Sequence, residues 1–427
     1  MTLRSTTLEI GMRDRVPPVI RRLARDYHLS FVSAVFFGHW LLVTLAAALA
    51  TQFATANPTV KALGWSLPQL NGLGRYTVQP MRNWDGFWYS FIANFGYVHE
   101  ATTAFWPLYP WSMRAVSDLF AMPVEVAGYL LSNIAFFFAL VFLHRFVATQ
   151  WGQDVARRCI VLLAFFPTAF FFSAVYSESF FLLFCVLAFS YARSGRWWLA
   201  GLAALLAGLT RNVGVLLAIP LGIMFLRQYG SALRAHWRSP TAWPRQALAL
   251  GLIPIGPIIY FLYLWNRFDN PLMTIEAQKG WARIQAMPWT TFQMAFDQWE
   301  DGWLHALLAS PTWATLTSYP VRLSFAEYES LDIMMAFVGI ALIVYTWRAL
   351  PIEYSSWVTI MFVLPLFSPS TVHPLMSVPR FLLVLFPLFI ALAILLRWRG
   401  AFLAVLIPSS VFMLLLVIQF STWFWVS

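Results

Sequence analysis

The sequence predicts an all-α polytopic transmembrane helical bundle of about 11 spans. Three observations predict it. Of the 427 residues, 60% are hydrophobic and only 11% are charged, against about 25% charged in soluble domains. Mean hydropathy is +0.67, more apolar surface than one soluble core can bury. The apolar residues fall into repeated runs long enough, or nearly so, to cross a bilayer.

Taken in order, spans are expected near 31–52, 126–148, 159–175, 180–193, 198–210, 212–226, 247–266, 331–349, 352–368, 379–396 and 401–425. Several of the middle runs are shorter than the ~20 residues of a full span, so tilted or broken helices are expected there. The Trp- and Pro-rich stretch 104–120 reads as interfacial. The polar arm 1–30 precedes the first apolar run, which argues against a cleaved signal peptide. The rest, 31–427, reads as one domain. Two long segments lie outside the spans: 53–125, including the interfacial stretch, and 267–330. In the second, Phe292, Phe296, Trp299 and Trp303 recur at helical spacing, with Asp297, Glu300 and Asp301 placed elsewhere. That pattern fits an amphipathic helix, either on the membrane surface or packed on the loop's own core.

Basic residues orient the bundle. If the arm is cytoplasmic, that side collects about 18 basic residues against 5 acidic ones, a strong positive-inside bias. Both long segments and the C-terminus are then non-cytoplasmic. The net charge of +10 is a topology signal of this kind and does not point to nucleic acid. Cys159 and Cys185 both fall within spans, and no His/Cys cluster suggests a metal site or a disulfide framework. No internal repeat of the inverted transporter type is visible.

Charge kept inside apolar runs is costly and marks function. "RNWDGFWYSFIANFGYVHE" holds Arg82, Trp84, Asp85, Trp88, Tyr89 and Glu100. "AVYSESFF" places Tyr176 and Glu178 at a hairpin. "GLTRNVGVLL" places Arg211 and Asn212 between apolar halves, and "TVHPLMSVPRFLLVLFPLF" carries His373 and Arg380. A turn at 210–212 brings Arg211 to the outer interface, at one level with Asp85, Glu178 and Arg380. Plainer uses exist for each: a helix cap for Asp85, an ion pair for Glu178, snorkelling for Arg211, an interfacial anchor for Arg380 and a loop position for His373. Together, two carboxylates and two guanidiniums at one depth suit a lipid-linked phosphate. Arginine binds phosphate oxygens through a planar fork, a carboxylate takes the proton of an acceptor hydroxyl, and aromatic faces stack on sugar rings. Buried charge and broken helices also suit a lipid or polysaccharide flippase, which would hold its charges near the midplane instead.

The motifs "NWDGFWY", "GYVHEATTAFWPLYP", "VYSESFFLLF", "GLTRNVGVLL" and "PRFLLVLFPLF", in this order, resemble the PIG-V family, which comprises the GPI mannosyltransferases that add the second mannose and their prokaryotic relatives. Trp106 stands where that family usually has Phe, and Phe381 where Tyr is frequent. The resemblance implies the GT-C fold of integral-membrane glycosyltransferases. It implies an inverting transfer of mannose from a polyprenyl- or dolichyl-phosphate-mannose donor to a glycolipid or glycan acceptor in membrane lipid. It assigns Asp85 as general base, Glu178 to acceptor binding or to support of Asp85, and Arg211 and Arg380 to the donor phosphate. Tyr109 is structural or lines the site; Arg82, Trp84, Trp88, Glu100, Tyr176, Asn212 and His373 complete the candidate substrate contacts. No cofactor is required, no metal ligand is assigned, and a divalent cation beside the phosphate is compatible with this chemistry. Another lipid-phosphate sugar would use the same groups. The Arg-rich, Lys-poor composition suits a prokaryotic plasma membrane with the site outside; in a eukaryote the same topology places it in the ER lumen.

Overall fold

A computed structural model describes residues 18–54, 56–57, 69–235, 243–308 and 329–426. Most of the predicted arm and parts of three expected loops lie outside the described residues. So do the side chains of Glu300, Asp301 and Trp303. Among the described residues the chain is helical, and its extended pairing is an isolated antiparallel bridge between Arg283 and Ser370.

Helix α1 is Pro18–Phe53. The first long segment then supplies α2, Asp85–Phe95, and α3, Leu108–Phe120. The long helix α4, Val124–Trp151, starts after Pro123 and stops at Gly152, whose φ of +88° favours glycine. α5, Gln153–Ala164, ends ahead of Pro167, which cannot continue a helix. α6, Glu178–Arg193, and α7, Trp197–Thr210, form a tight hairpin. α8 is Ala218–Ala235, α9 is Ile255–Phe268 and α10 is Pro288–Leu308. α11, Ser330–Ala349, α12, Ile352–Val363, α13, Val378–Leu383, α14, Phe386–Leu395, and α15, Arg399–Ser421, complete the order.

Five helical stretches among the described residues are long and apolar enough to cross a membrane: His28–Phe53, Val124–Trp151, Asn212–Ala235, Ser330–Ala349 and Arg399–Ser421. Three expected spans are broken, each at proline-bearing sequence. The stretch 159–175 is helical only to Ala164 and then forms a buried loop. The stretch 247–266 opens as a four-residue helix and turns before α9. The stretch 379–396 splits between α13 and α14, with a proline in the first turn of each half. The stretch 104–120 contains the short helix α3, and α10 spans the predicted amphipathic segment.

α6 sits between α4 and α7, and α14 packs on α5 and α11. Close approach depends on small residues, as is usual between helices that lack a hydrophobic driving force in lipid. A Cβ on Gly201 of α7 would lie 2.2 Å from the Ala249 carbonyl oxygen, and one on Gly256 of α9 would lie 2.5 Å from that of Leu205.

The up-and-down order sorts the loops between two ends. Because α6 begins where α7 finishes, Glu178 and Arg211 share one end. The other end gathers basic side chains with their own partners. Arg227 pairs with buried Glu353 at 2.7 Å, and Arg158 donates to the Ala393 carbonyl at 2.9 Å.

Gly201→Ala should lower stability by about 1–3 kcal/mol, the cost of overpacking, read as a lower unfolding midpoint in a fixed detergent. Gly222→Ala, whose added Cβ meets nothing within 4 Å, should leave that midpoint unchanged. Indistinguishable midpoints for the two variants would reject the close contact of α7 with 247–250.

Candidate functional site

The "WDG" motif is held in place by a clamp of backbone and side-chain bonds. Asn83 donates through Nδ2 to the carbonyls of Phe420, at 2.9 Å, and Ser421, at 3.2 Å, just at the end of α15. Tyr176 donates its hydroxyl to the Asn83 carbonyl at 3.1 Å and accepts the Asp85 backbone N–H at 3.0 Å. Between them Trp84 has φ +56° and ψ −117°, a region costly for a side chain of this size. Its indole packs against Trp423 and Trp425. The strained residue aims Asp85, the first residue of α2, inward.

The "YSES" motif ends the buried loop 165–177. Non-helical backbone at membrane depth survives only where protein satisfies it, and here it does. Ala164 accepts from His39 Nδ1 at 2.6 Å, Phe172 accepts from Ser179 Oγ at 2.7 Å, and Tyr176 accepts from Ser132 Oγ at 3.0 Å. The Val175 N–H donates to the Met81 carbonyl at 2.9 Å. This wall of partners sets Glu178 at the first turn of α6, where the helix dipole favours a carboxylate.

The "TRNVG" motif turns the chain. α7 stops because Arg211 is extended, with φ −150° and ψ 143°. A 3-10 turn then folds straight back onto the helix. A Cβ on Gly214 would sit 2.4 Å from the backbone of Ala207, so this return requires glycine. Arg211 thereby projects at the helix end, at the level of Glu178.

Arg380, near the start of α13, joins the pieces. Its Nη1 lies 2.8 Å from Asp85 Oδ2, and its Nη2 lies 2.8 Å from Glu178 Oε1. Arg211 Nη1 reaches that same Glu178 oxygen at 3.1 Å. Side-chain exposure grades outward: 0% for Glu178, 8% for Arg380, 16% for Arg211 and 20% for Asp85. The Arg380 guanidinium also lies 5.0 Å from the ring centres of both Phe171 and Tyr176, and Arg211 lies near Phe181 and Phe381. Such aromatic contacts further stabilise a buried cation.

A cavity of about 300 Å³ opens on this cluster. Asp85, Arg211, Arg380 and Asn212 line it, with Tyr89 beside them. Glu178 lies behind, covered by its two arginines. Trp88 stacks on Phe105, a lining residue, with ring centres 5.9 Å apart.

The other candidate contacts lie elsewhere. Arg82 is buried in an ion pair with Glu125 at 3.2 Å. Tyr109 is fully buried, donates to the Gly128 carbonyl and packs under Tyr89. Glu100 is exposed at the start of a 3-10 turn, and His373 pairs with Glu329 at 2.8 Å. Trp84 and Tyr176 act from beneath, by shaping the loop that carries Asp85. None of these six lines the cavity: four are built into its support and two, Glu100 and His373, lie nearer the surface.

Among the lining residues that the sequence left inconspicuous are Trp281 and Arg283. Both come from the segment after α9, which pairs with residues 367–371. Ile284 donates to the Pro369 carbonyl, and Thr371 donates to that of Ala282, each at 2.9 Å. The "GWARI" signal is a bare Trp and Arg in a long loop, with no apolar context to make the charge conspicuous. Among the described residues no group of three His, Cys, Asp or Glu is placed to hold a metal ion.

Removing a buried counter-ion strands its partners at a cost of about 3–5 kcal/mol. Glu178→Gln should destabilise the protein by that order in denaturant titrations, because two guanidiniums lose one carboxylate. Adding Arg211→Gln should restore part of the loss. Fully additive losses would show that the two side chains are not coupled.

Residues 30–248 match the family described as Mannosyltransferase (PIG-V). GPI mannosyltransferase 2 of Drosophila pseudoobscura pseudoobscura is 29% identical over 124 residues, an alignment that covers 27% of this chain and 27% of the fly protein. Among solved structures, the Archaeoglobus fulgidus oligosaccharyltransferase tethered to an acceptor peptide has a TM-score of 0.42 at 13% identity, over 90% of this chain and 55% of that one. ArnT from Cupriavidus metallidurans, bound to undecaprenyl phosphate, has a TM-score of 0.38 at 14% identity, over 90% of this chain and 77% of that one. The family match takes in just over half of the 427 residues and contains the "WDG", "YSES" and "TRNVG" motifs; the chain belongs to the PIG-V mannosyltransferase family.

Proposed function

We propose that this protein transfers mannose from a polyprenyl- or dolichyl-phosphate-mannose to a hydroxyl of a glycolipid or glycan acceptor, at the non-cytoplasmic face of its membrane. The observation that carries this reading is the contact of Asp85 with Arg380 at the wall of a cavity that Arg211 also lines. A base and two phosphate-binding groups thus meet where one substrate pair would react. Family membership supplies the sugar.

In this reading Asp85 accepts the proton of the acceptor hydroxyl. The hydroxyl oxygen bonds to the anomeric carbon from the side opposite the phosphate. The bond from that carbon to the phosphate oxygen breaks, and its electron pair stays on the lipid phosphate. One displacement of this kind inverts the anomeric centre. Arg380 and Arg211 answer the charge that grows on the leaving phosphate, an interaction stronger in the transition state than in the ground state. Glu178 positions both guanidiniums from behind. Asp85 Oδ2 holds Arg380, and Oδ1, with no hydrogen bond among the described residues, is the oxygen offered to the acceptor.

The placement of charge favours transfer over transport. The ionised groups lie at helix ends, at one end of the bundle, beside the two long segments. A flippase needs them along a path through the middle. The basic residues at the opposite end support a cytoplasmic assignment for that end.

Purified protein incubated with radiolabelled polyprenyl-phosphate-mannose and membrane lipid extract should yield a labelled product. Asp85→Asn should lower turnover by about 10²–10⁴-fold, the usual contribution of a general base, with donor binding retained and a smaller loss of stability than Glu178→Gln, because Arg380 keeps Glu178. Near-normal turnover in this variant would remove Asp85 from the role. Movement of intact donor between leaflets, without a labelled product, would favour transport.

A further inference from the structure

The charges around the cavity do not balance. Glu178 is shared by Arg211 and Arg380, and Asp85 is held by Arg380. Arg283, which lines the same cavity, has no carboxylate within ion-pair distance among the described residues. Three guanidiniums therefore answer to two carboxylates. Arg283 is half-buried, and its Nη1 donates to the Ser368 carbonyl at 2.7 Å. The backbone bridge to Ser370 fixes the segment that carries it. Burial pushes its pKa down, and the nearby charge of Arg380 adds to the effect. An anion in the cavity would relieve both.

We propose that Arg283 is a third phosphate-binding residue, whose charge is neutralised by the lipid-linked phosphate and not by the protein. This rests on the lipid-phosphate donor reading and adds to it a residue outside the matched region 30–248. Arg211 and Arg380 are drawn back by Glu178, whereas Arg283 faces the ligand without that competition. One unanswered positive charge matches the single negative charge of a sugar phosphodiester. It falls short of a diphosphate-linked donor. Arg283 also reaches the cavity from the wall made by the segment after α9. A phosphate held there and by Arg380 would join that wall to the ends of the bundle helices.

The test is equilibrium binding of a radiolabelled polyprenyl monophosphate to the full chain in detergent, with the uncharged polyprenol of the same length as the matched probe. Wild-type protein should prefer the phosphate. Arg283→Gln should weaken phosphate binding at least 10-fold and leave polyprenol binding unchanged, and Arg283→Lys should fall between. If Arg283→Gln cannot be recovered folded, Arg283→Lys decides. A loss confined to the phosphate probe supports the assignment, and an unchanged preference overturns it. Equal loss of both probes in either variant also overturns it, since that is a structural effect. If wild-type protein shows no preference for the phosphate, the donor reading falls and Arg283 with it. If wild-type protein prefers the phosphate and Arg283→Gln binds it equally well, the donor reading stands and Arg283 alone is dismissed.

Discussion

Glu178 Oε1 accepts from two guanidinium groups at once, Arg211 at 3.1 Å and Arg380 at 2.8 Å, with no exposure of its own side chain. Without it Arg211 would lose its carboxylate and Arg380 would keep only Asp85, a costly change for charges this deep. Arg380 in turn reaches Asp85. The position of a carboxylate on α2 is therefore set by a carboxylate on α6, through an arginine on α13. Residues separated by more than 200 positions become one electrostatic unit. The remainder of the fold serves to bring four helix ends to that point.

Each helix end is reached at some conformational cost. Trp84 occupies a backbone region that costs of order 1–3 kcal/mol, offset by indole packing and by the bonds around Asn83. The loop before Glu178 gives up helical hydrogen bonds and regains them from His39, Ser132 and Ser179. The return at Gly214 excludes every side chain. Local irregularity thus gathers around the ionised groups, while the apolar helices away from them are regular. Pre-set geometry of this kind suits chemistry that relies on placing charge ahead of the reaction.

The helical bundle was legible because lipid imposes length and composition on any segment that crosses it. Asp85, Glu178, Arg211 and Arg380 were legible for the same reason, as charge set among apolar residues that no solvent would excuse. The turn at Arg211 followed from the cost of leaving a guanidinium in mid-membrane. What could not be read were partners distant in the chain. Arg82 looked like part of the reactive group because it neighbours Asp85, but its mate is Glu125, which points it into the core. His373, readable as a loop residue or as a substrate contact, meets Glu329, 44 positions away in the chain. Helix breaks were blurred where proline follows an apolar run, as at 165–167, since hydropathy registers the run and not its geometry. Arg283 was hidden by ordinary context: an arginine in a loop is unremarkable until folding sets it beside two others.

The final residues dock on the loop that carries Asp85. Gln419 donates to the Trp425 carbonyl, Asn57 donates its backbone N–H to Thr422, and the indoles of Trp423 and Trp425 flank Trp84. Segment 422–426 is thus built into the support of Asp85 and, through Trp425, into the cavity wall. A bulky group grafted onto Trp423 or Trp425 would therefore pull on the very peptide that aims the carboxylate.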